Sequence, residues 1–221
     1  MSQAQWTAVD AYFSDQLVPH DPALEAALAA SSEAGLPPIN VSPNQGRLLH
    51  LLARLRGARK ILEIGTLGGY STIWLARALP EDGYLVTLEA LAKHAKVAEA
   101  NIAKAGLGDI VEIRLGPALD SLPKLAEEGK GPFDLTFIDA DKERIPEYFR
   151  WALELSHPGS VVIVDNVVRG GAVADAATTD PDVKGIRRFL ELLGKEPRVS
   201  ATAVQTVGTK GWDGFAIALV N

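Results

Sequence analysis

Carboxylates that close apolar runs are the residues of this chain best placed to do chemistry. Phe137-Ile138-Asp139-Ala140-Asp141-Lys142 and Ile163-Val164-Asp165-Asn166 each end a strand-like stretch in acids. If the two strands are neighbours, Asp139, Asp165 and Asn166 converge on one point. Two carboxylates and an amide carbonyl offer only oxygen, the hard donor set that suits a divalent cation: Mg²⁺ is the expected ion, with Ca²⁺ or Mn²⁺ as alternatives. Without a cation the two charges would crowd each other. Lys142 lies three residues beyond Asp139 and can look into the same site. An amine with an ordinary pKa near 10.4 is a poor base at neutral pH, and a divalent cation beside it would correct that.

A glycine cluster supplies the second functional element. In Leu62-Glu63-Ile64-Gly65-Thr66-Leu67-Gly68-Gly69-Tyr70-Ser71, a charged-bounded apolar run leads into glycines, followed by apolar positions at helical spacing. This pattern is a strand, a tight loop and a helix, in which the loop lets a ligand approach the backbone. A dinucleotide fingerprint requires a second glycine where Leu67 stands, so a pyrophosphate is disfavoured. Glu63 would repel phosphate and suit a ligand carrying ammonium and hydroxyl groups, such as a cationic nucleoside cofactor. Glu89 closes the next strand, about 24 residues beyond Gly65, where an acid can accept hydrogen bonds from ribose hydroxyls.

The elements that must position these groups alternate regularly. Helices are expected over 3–17 and 21–34, with Asp21-Pro22 as cap and first-turn proline, and from Pro43, capped by Ser42 and striped by Leu48, Leu49, Leu52 and Leu55. After the first strand come strands at 84–88, 110–115, 133–138 and 160–164. Helices at 91–105, 117–128 and 143–155 separate them. Such alternation implies right-handed βαβ crossovers and a doubly wound, mostly parallel α/β sheet covered on both faces. The tail departs from it: a helix over 183–193, then strands 198–205 and 214–220 around a polar turn at 208–213, a hairpin that adds an antiparallel strand. The stretch 170–182, rich in Ala, Gly and Asp, is expected to be a mobile loop near the active face.

Composition sets the bounds. With 221 residues, 47% of them hydrophobic, the chain can form one α/β domain with a sizeable core. It has no cysteine, which excludes disulfides and thiolate chemistry and fits a reducing cytoplasm. The start lacks the features of a secretory signal, and no stretch is long enough to span a membrane. A net charge of −6 with acids and bases interspersed offers no basic stripe for nucleic acid, which leaves a small molecule as partner. His20, His50, His94 and His157 have no ligand spacing.

The glycine run, the Glu89 strand end, Asp139-Ala140-Asp141-Lys142 and Asp165-Asn166 occur in the order seen in cation-dependent class I S-adenosylmethionine O-methyltransferases. From about Pro37 onward the chain resembles the caffeoyl-CoA and catechol O-methyltransferase family in its small bacterial form. The resemblance implies a Rossmann-like seven-stranded sheet in the order 3-2-1-4-5-7-6, with strand 7 antiparallel. It implies that Glu63, Gly65, Thr66 and Ser71 hold the methionine part of S-adenosylmethionine, that Glu89 holds the ribose, and that Val41 and Ala118 line the cofactor. Asp139 would serve both cofactor and metal, Asp139, Asp165 and Asn166 would bind the cation, and Lys142 would be the base. The acceptor would be an aromatic vicinal diol. Residues 1–57, with three helices ahead of the first strand, are expected to form a helical lid or dimer surface on the core of residues 58–221, with an ordinary packing layer as the alternative; the homodimer is what the resemblance implies. Two departures leave the acceptor open. Asp141 stands where catechol methyltransferases carry tryptophan, and Val167-Val168-Arg169-Gly170-Gly171 lacks the plant branch's tryptophan and substrate asparagine. The rivals are an NAD-dependent oxidoreductase, an aspartate-nucleophile phosphatase and a non-catalytic S-adenosylmethionine-binding module.

Overall fold

The computed structural model describes residues 2–221. Three helices come first, α1 (Gln3–Leu17), α2 (Pro22–Glu33) and α3 (Pro43–Arg56). The alternating region is β1 (Lys60–Ile64), α4 (Tyr70–Ala76), β2 (Tyr84–Glu89), α5 (Ala92–Lys104), β3 (Val111–Leu115), α6 (Ala118–Glu127), β4 (Phe133–Ile138), α7 (Ile145–Glu154) and β5 (Ser156–Asp165). It closes with α8 (Pro181–Leu193), β6 (Val199–Gly208) and β7 (Gly211–Val220).

The seven strands form one sheet in the order β3-β2-β1-β4-β5-β7-β6. The first five pair in parallel, and β7 runs antiparallel between β5 and β6. Alternate residues of each strand feed two apolar layers. Leu62, Ile64, Val86 and Leu88 pack on one face against Leu122, Phe149, Ile186 and Phe189. Ile61, Leu85, Leu135, Phe137 and Ile163 pack on the other against Leu49, Ile73, Trp74 and Ile102. Each such fully buried side chain contributes about 1.5–3 kcal/mol, so coverage of both faces is what holds the sheet. Among the described residues no helix is long and apolar enough to cross a membrane.

Local chemistry sets the helix starts as the sequence predicts. Asp21 accepts the Ala23 and Leu24 N–H groups, and Ser42 Oγ accepts the Gln45 N–H. The tail differs from expectation. The hairpin strands are longer than 198–205 and 214–220, and the turn is only Thr209-Lys210 between paired Gly208 and Gly211. The stretch 170–182 is built rather than featureless. Short turns kinked at Gly170 and Gly171 cover Arg169–Ala174, Asp213 accepts the Val168 and Arg169 N–H groups, Arg187 donates to the Val173 carbonyl, and Asp180 caps α8.

Candidate active site

The candidates gather around the carboxyl ends of the parallel strands, where the order reverses between β1 and β4 and a crevice opens, with Val41 reaching it from the link before α3, Ser71 from α4 and Ala118 from α6. A cleft of about 880 Å³ fills this crevice. Val41, Gly65, Thr66, Ser71, Glu89, Ala118, Asp139, Lys142 and Asn166 all line it. Glu63 and Asp165 do not. They sit one layer behind the wall, Glu63 bonded to Ser71 and Asp165 to the Asn166 N–H.

The glycine loop is shaped by close approach between β1 and β4. Gly65 has φ +103°, and a Cβ there would lie 2.1 Å from the Asp139 carbonyl oxygen, so no side chain fits. Leu67, at the position where a dinucleotide loop needs glycine, has φ +51° and is held there by Glu89. Glu89 Oε2 accepts the Thr66 and Leu67 N–H groups at 3.3 and 2.8 Å, and Oε1 accepts Leu91 N–H at 2.9 Å. A carboxylate has about four acceptor directions, so Glu89 both ties the loop and keeps one direction open to the cleft. His94 lines the same end, with Nδ1 3.5 Å from Glu89.

Glu63 is fully buried beneath the loop. It accepts three hydroxyls, from Ser71 at 2.7 Å, Thr72 at 2.5 Å and Thr87 at 2.6 Å. Burial pushes its carboxyl up to about 7, against the pull of those donors. Ser71 is thus the link through which Glu63 reaches the cleft.

At the other end, Lys142 Nζ donates to Asp139 Oδ1 at 2.7 Å, and both side chains are largely enclosed. Lys142 begins a 3₁₀ turn, Lys142–Arg144, that lies directly on α8. A Cβ on Gly185 would meet the Lys142 carbonyl at 2.2 Å. Asp165, 4% exposed, accepts Gln45 Nε2 at 2.7 Å and the Asn166 N–H at 2.8 Å. Burial first, then the nearby Asp139 charge, pushes Asp165 up to about 7. Asn166 has φ +59°, a left-handed backbone that turns its amide into the cleft wall. Asp141 holds Tyr148 Oη at 2.5 Å and Arg144 at 2.9 Å, making a polar rim. Burial and Asp141 raise the Tyr148 phenol well above its ordinary value.

Three contributors were missed by sequence reasoning: Gln45, Gly185 and Asp213. Gly185 carried a signal, since a glycine inside an amphipathic helix marks a close approach. Gln45 and Asp213 act across 120 and 45 residues of chain, and carry none.

Among the described residues no three His, Cys, Asp or Glu side chains are grouped to hold a metal, so a cation here would rest on two carboxylates and the Asn166 amide. The donors fit a hard ion. They are oxygen only, and Asp165, raised first by burial and then by the Asp139 charge, is a buried carboxylate that a divalent ion would compensate. The loop end fits a ligand with a cationic and a hydroxylated part, given Asp139 and the Glu63–Ser71 pair at one side and Glu89 at the other.

Comparison with known proteins agrees with this geometry. The family model described as O-methyltransferase matches residues 17–218. A catechol O-methyltransferase of Niastella koreensis is 55% identical over 221 residues, covering 100% of both chains. A catechol O-methyltransferase of Mycobacterium tuberculosis is 56% identical over 213 residues, covering 96% of this chain and 95% of its own. The crystal structure of an O-methyltransferase from Bacillus cereus in complex with SAH is 59% identical, covers 100% of both chains and superposes with a TM-score of 0.98. With its strand order, its cleft and these relatives, the chain belongs to the O-methyltransferase family.

Proposed function

We propose that the enzyme moves the methyl group of S-adenosylmethionine to one hydroxyl of a catechol-like aromatic diol, with a divalent cation, Mg²⁺ first, held by Asp139, Asp165 and Asn166. The observation that carries this reading is one cleft joining the glycine loop to the Asp139–Lys142 pair. Identity above 50% to enzymes named catechol O-methyltransferase supports the acceptor class. The SAH-bound relative supports the cofactor.

When bound, the cofactor supplies an activated methyl on sulfur and the ion a Lewis acid that acidifies a chelated phenol. The protein's own residues orient and deprotonate. Gly65, Thr66 and Ser71 hold the amino-acid end of the cofactor, with Glu63 behind Ser71. Glu89 takes the ribose hydroxyls, and Val41 and Ala118 close on the cofactor from the lid and α6. Lys142 Nζ removes the acceptor's proton as the general base, a role worth roughly 10²–10⁴-fold in rate. Fixing both reactants within one cleft contributes more, about 7–11 kcal/mol where alignment is good.

The same reading makes residues 1–57 a lid and homodimer region on the core of residues 58–221. In support, α1 buries none of its residues in the monomer and leaves Tyr12 and Leu17 64% and 67% exposed. The expected setting is the cytoplasm, with no nucleic-acid or membrane partner.

Calorimetric titration with S-adenosylmethionine, followed by methyl transfer to catechol with and without Mg²⁺, tests the proposal. Cofactor binding with Mg²⁺-dependent O-methylation is the expected result. Cofactor binding without transfer to any aromatic diol would overturn the acceptor assignment. Transfer undiminished in EDTA would overturn the cation.

A further inference from the structure

We infer that Gln45 is a positioning residue for the cation site: its side-chain amide fixes the orientation of Asp165. The inference rests on the metal reading above. Its local origin can be followed along α3. Gly46 lies against Trp74 of α4, where a Cβ would come within 2.4 Å of the indole, so the first turn of α3 is seated on the neighbouring helix. Ser42 Oγ accepts the Gln45 N–H at 3.2 Å and fixes Gln45 as the third residue of the helix. Asn44 Nδ2 donates to the Asp10 carbonyl at 3.2 Å, so the same turn is tied to α1. From this fixed base Gln45 Nε2 reaches Asp165 Oδ2 at 2.7 Å.

The carboxylate is held from two sides. Oδ1 accepts the Asn166 N–H and Oδ2 accepts Gln45, which leaves each oxygen a second lone pair. Asp165 is too buried for water to replace a lost donor easily. An amide orients the carboxylate without neutralising it, whereas a lysine at this position would compete with the cation. Val41, three residues before Asn44, lines the cleft wall. One capped helix end therefore serves both the cofactor side and the cation side.

Donors to a ligating carboxylate typically cost 10–100-fold in metal affinity when removed. The test is calorimetric titration of Mn²⁺ alone into the unaltered chain, Gln45→Met and Ser42→Ala. Gln45→Met should bind Mn²⁺ roughly 10–100-fold more weakly, with S-adenosylmethionine affinity retained. Ser42→Ala removes the cap but not the amide, and should lower the melting temperature while retaining Mn²⁺ affinity. Gln45→Asn, one methylene short, should show the same loss as Gln45→Met and serves if the methionine variant does not fold. Unchanged Mn²⁺ affinity in a folded Gln45 variant would overturn the role of Gln45 alone. Failure of the unaltered protein to bind Mn²⁺ would overturn the cation reading and this inference together.

Discussion

Asp139 has two demands on it, since it pairs with Lys142 and, in the proposed function, shares the cation with the neighbouring Asp165. Removing it therefore differs from removing its partner. Asp139→Ala should abolish both turnover and its Mg²⁺ dependence. Lys142→Ala should lower kcat by about 10²–10⁴-fold at neutral pH while calorimetry finds S-adenosylmethionine binding intact. Full activity in Lys142→Ala would remove the lysine from the mechanism. Glu63 gives a prediction of another kind. Its folded-state value of about 7 exceeds the ordinary 4.5, so between these values the folded protein binds more protons than the unfolded one. Stability of the cofactor- and metal-free protein should thus fall as pH rises from 4.5 to 7, by at most about 3 kcal/mol from this group. Asp165 acts in the same direction. Urea melts across this window should show the decline, and Glu63→Gln should flatten it. A slope unchanged by the substitution would mean that Glu63 is ionised throughout.

The contact of α8 with the Lys142 turn decides a prediction about secondary structure. Gly→Ala inside a helix ordinarily stabilises by up to about 1 kcal/mol. At Gly185 the new Cβ meets backbone of Lys142 and Glu143, and backbone cannot step aside as a side chain can. Overpacking, about 1–3 kcal/mol, wins. Gly185→Ala should destabilise in chemical denaturation and lower kcat more than cofactor affinity, because the turn that moves carries Lys142, the proposed base. Most elements were legible because they obey local rules: Asp21 and Ser42 cap helices, and β1, β2 and β4 are apolar runs closed by acids or glycine, whereas the Asp180 cap, which starts α8 at Pro181 rather than 183, was not. The strands of the tail were legible in kind but not in extent. β6 is exposed along nearly all its length, so no alternation marks its end at Gly208. Pro158-Gly159 disguised the first half of β5 as a turn. The site was legible as strand-end acids, while Gln45 was not, because it and Asp165 are joined only by the fold.

For the whole molecule the exposed apolar face of α1, with Val9, Tyr12, Phe13 and Leu17, sets the expectation of a dimer. Light scattering should report twice the chain mass, and Tyr12→Glu with Phe13→Glu should shift it to the monomer without loss of fold. A monomeric unaltered chain would refute the assignment.

Before α1 can be secured, residues far along the chain must arrive. Gln3 and Asp10 bond to the Gly208 carbonyl and the Thr209 N–H at the hairpin tip, and Lys210 bonds to the Pro38 carbonyl beside the cleft. The last strand is also an interior one, since β7 lies between β5 and β6. In time rather than space, the parallel strands β1 to β5 are synthesised while the apolar edge Val161–Val164 still lacks its neighbour. An open apolar edge of that kind recruits other chains. The folding species expected to aggregate most readily is therefore the nascent one that lacks residues 199–220, in which α2 and α3 can already pack on α4 and α5 while α1 still lacks its bonds to the hairpin tip.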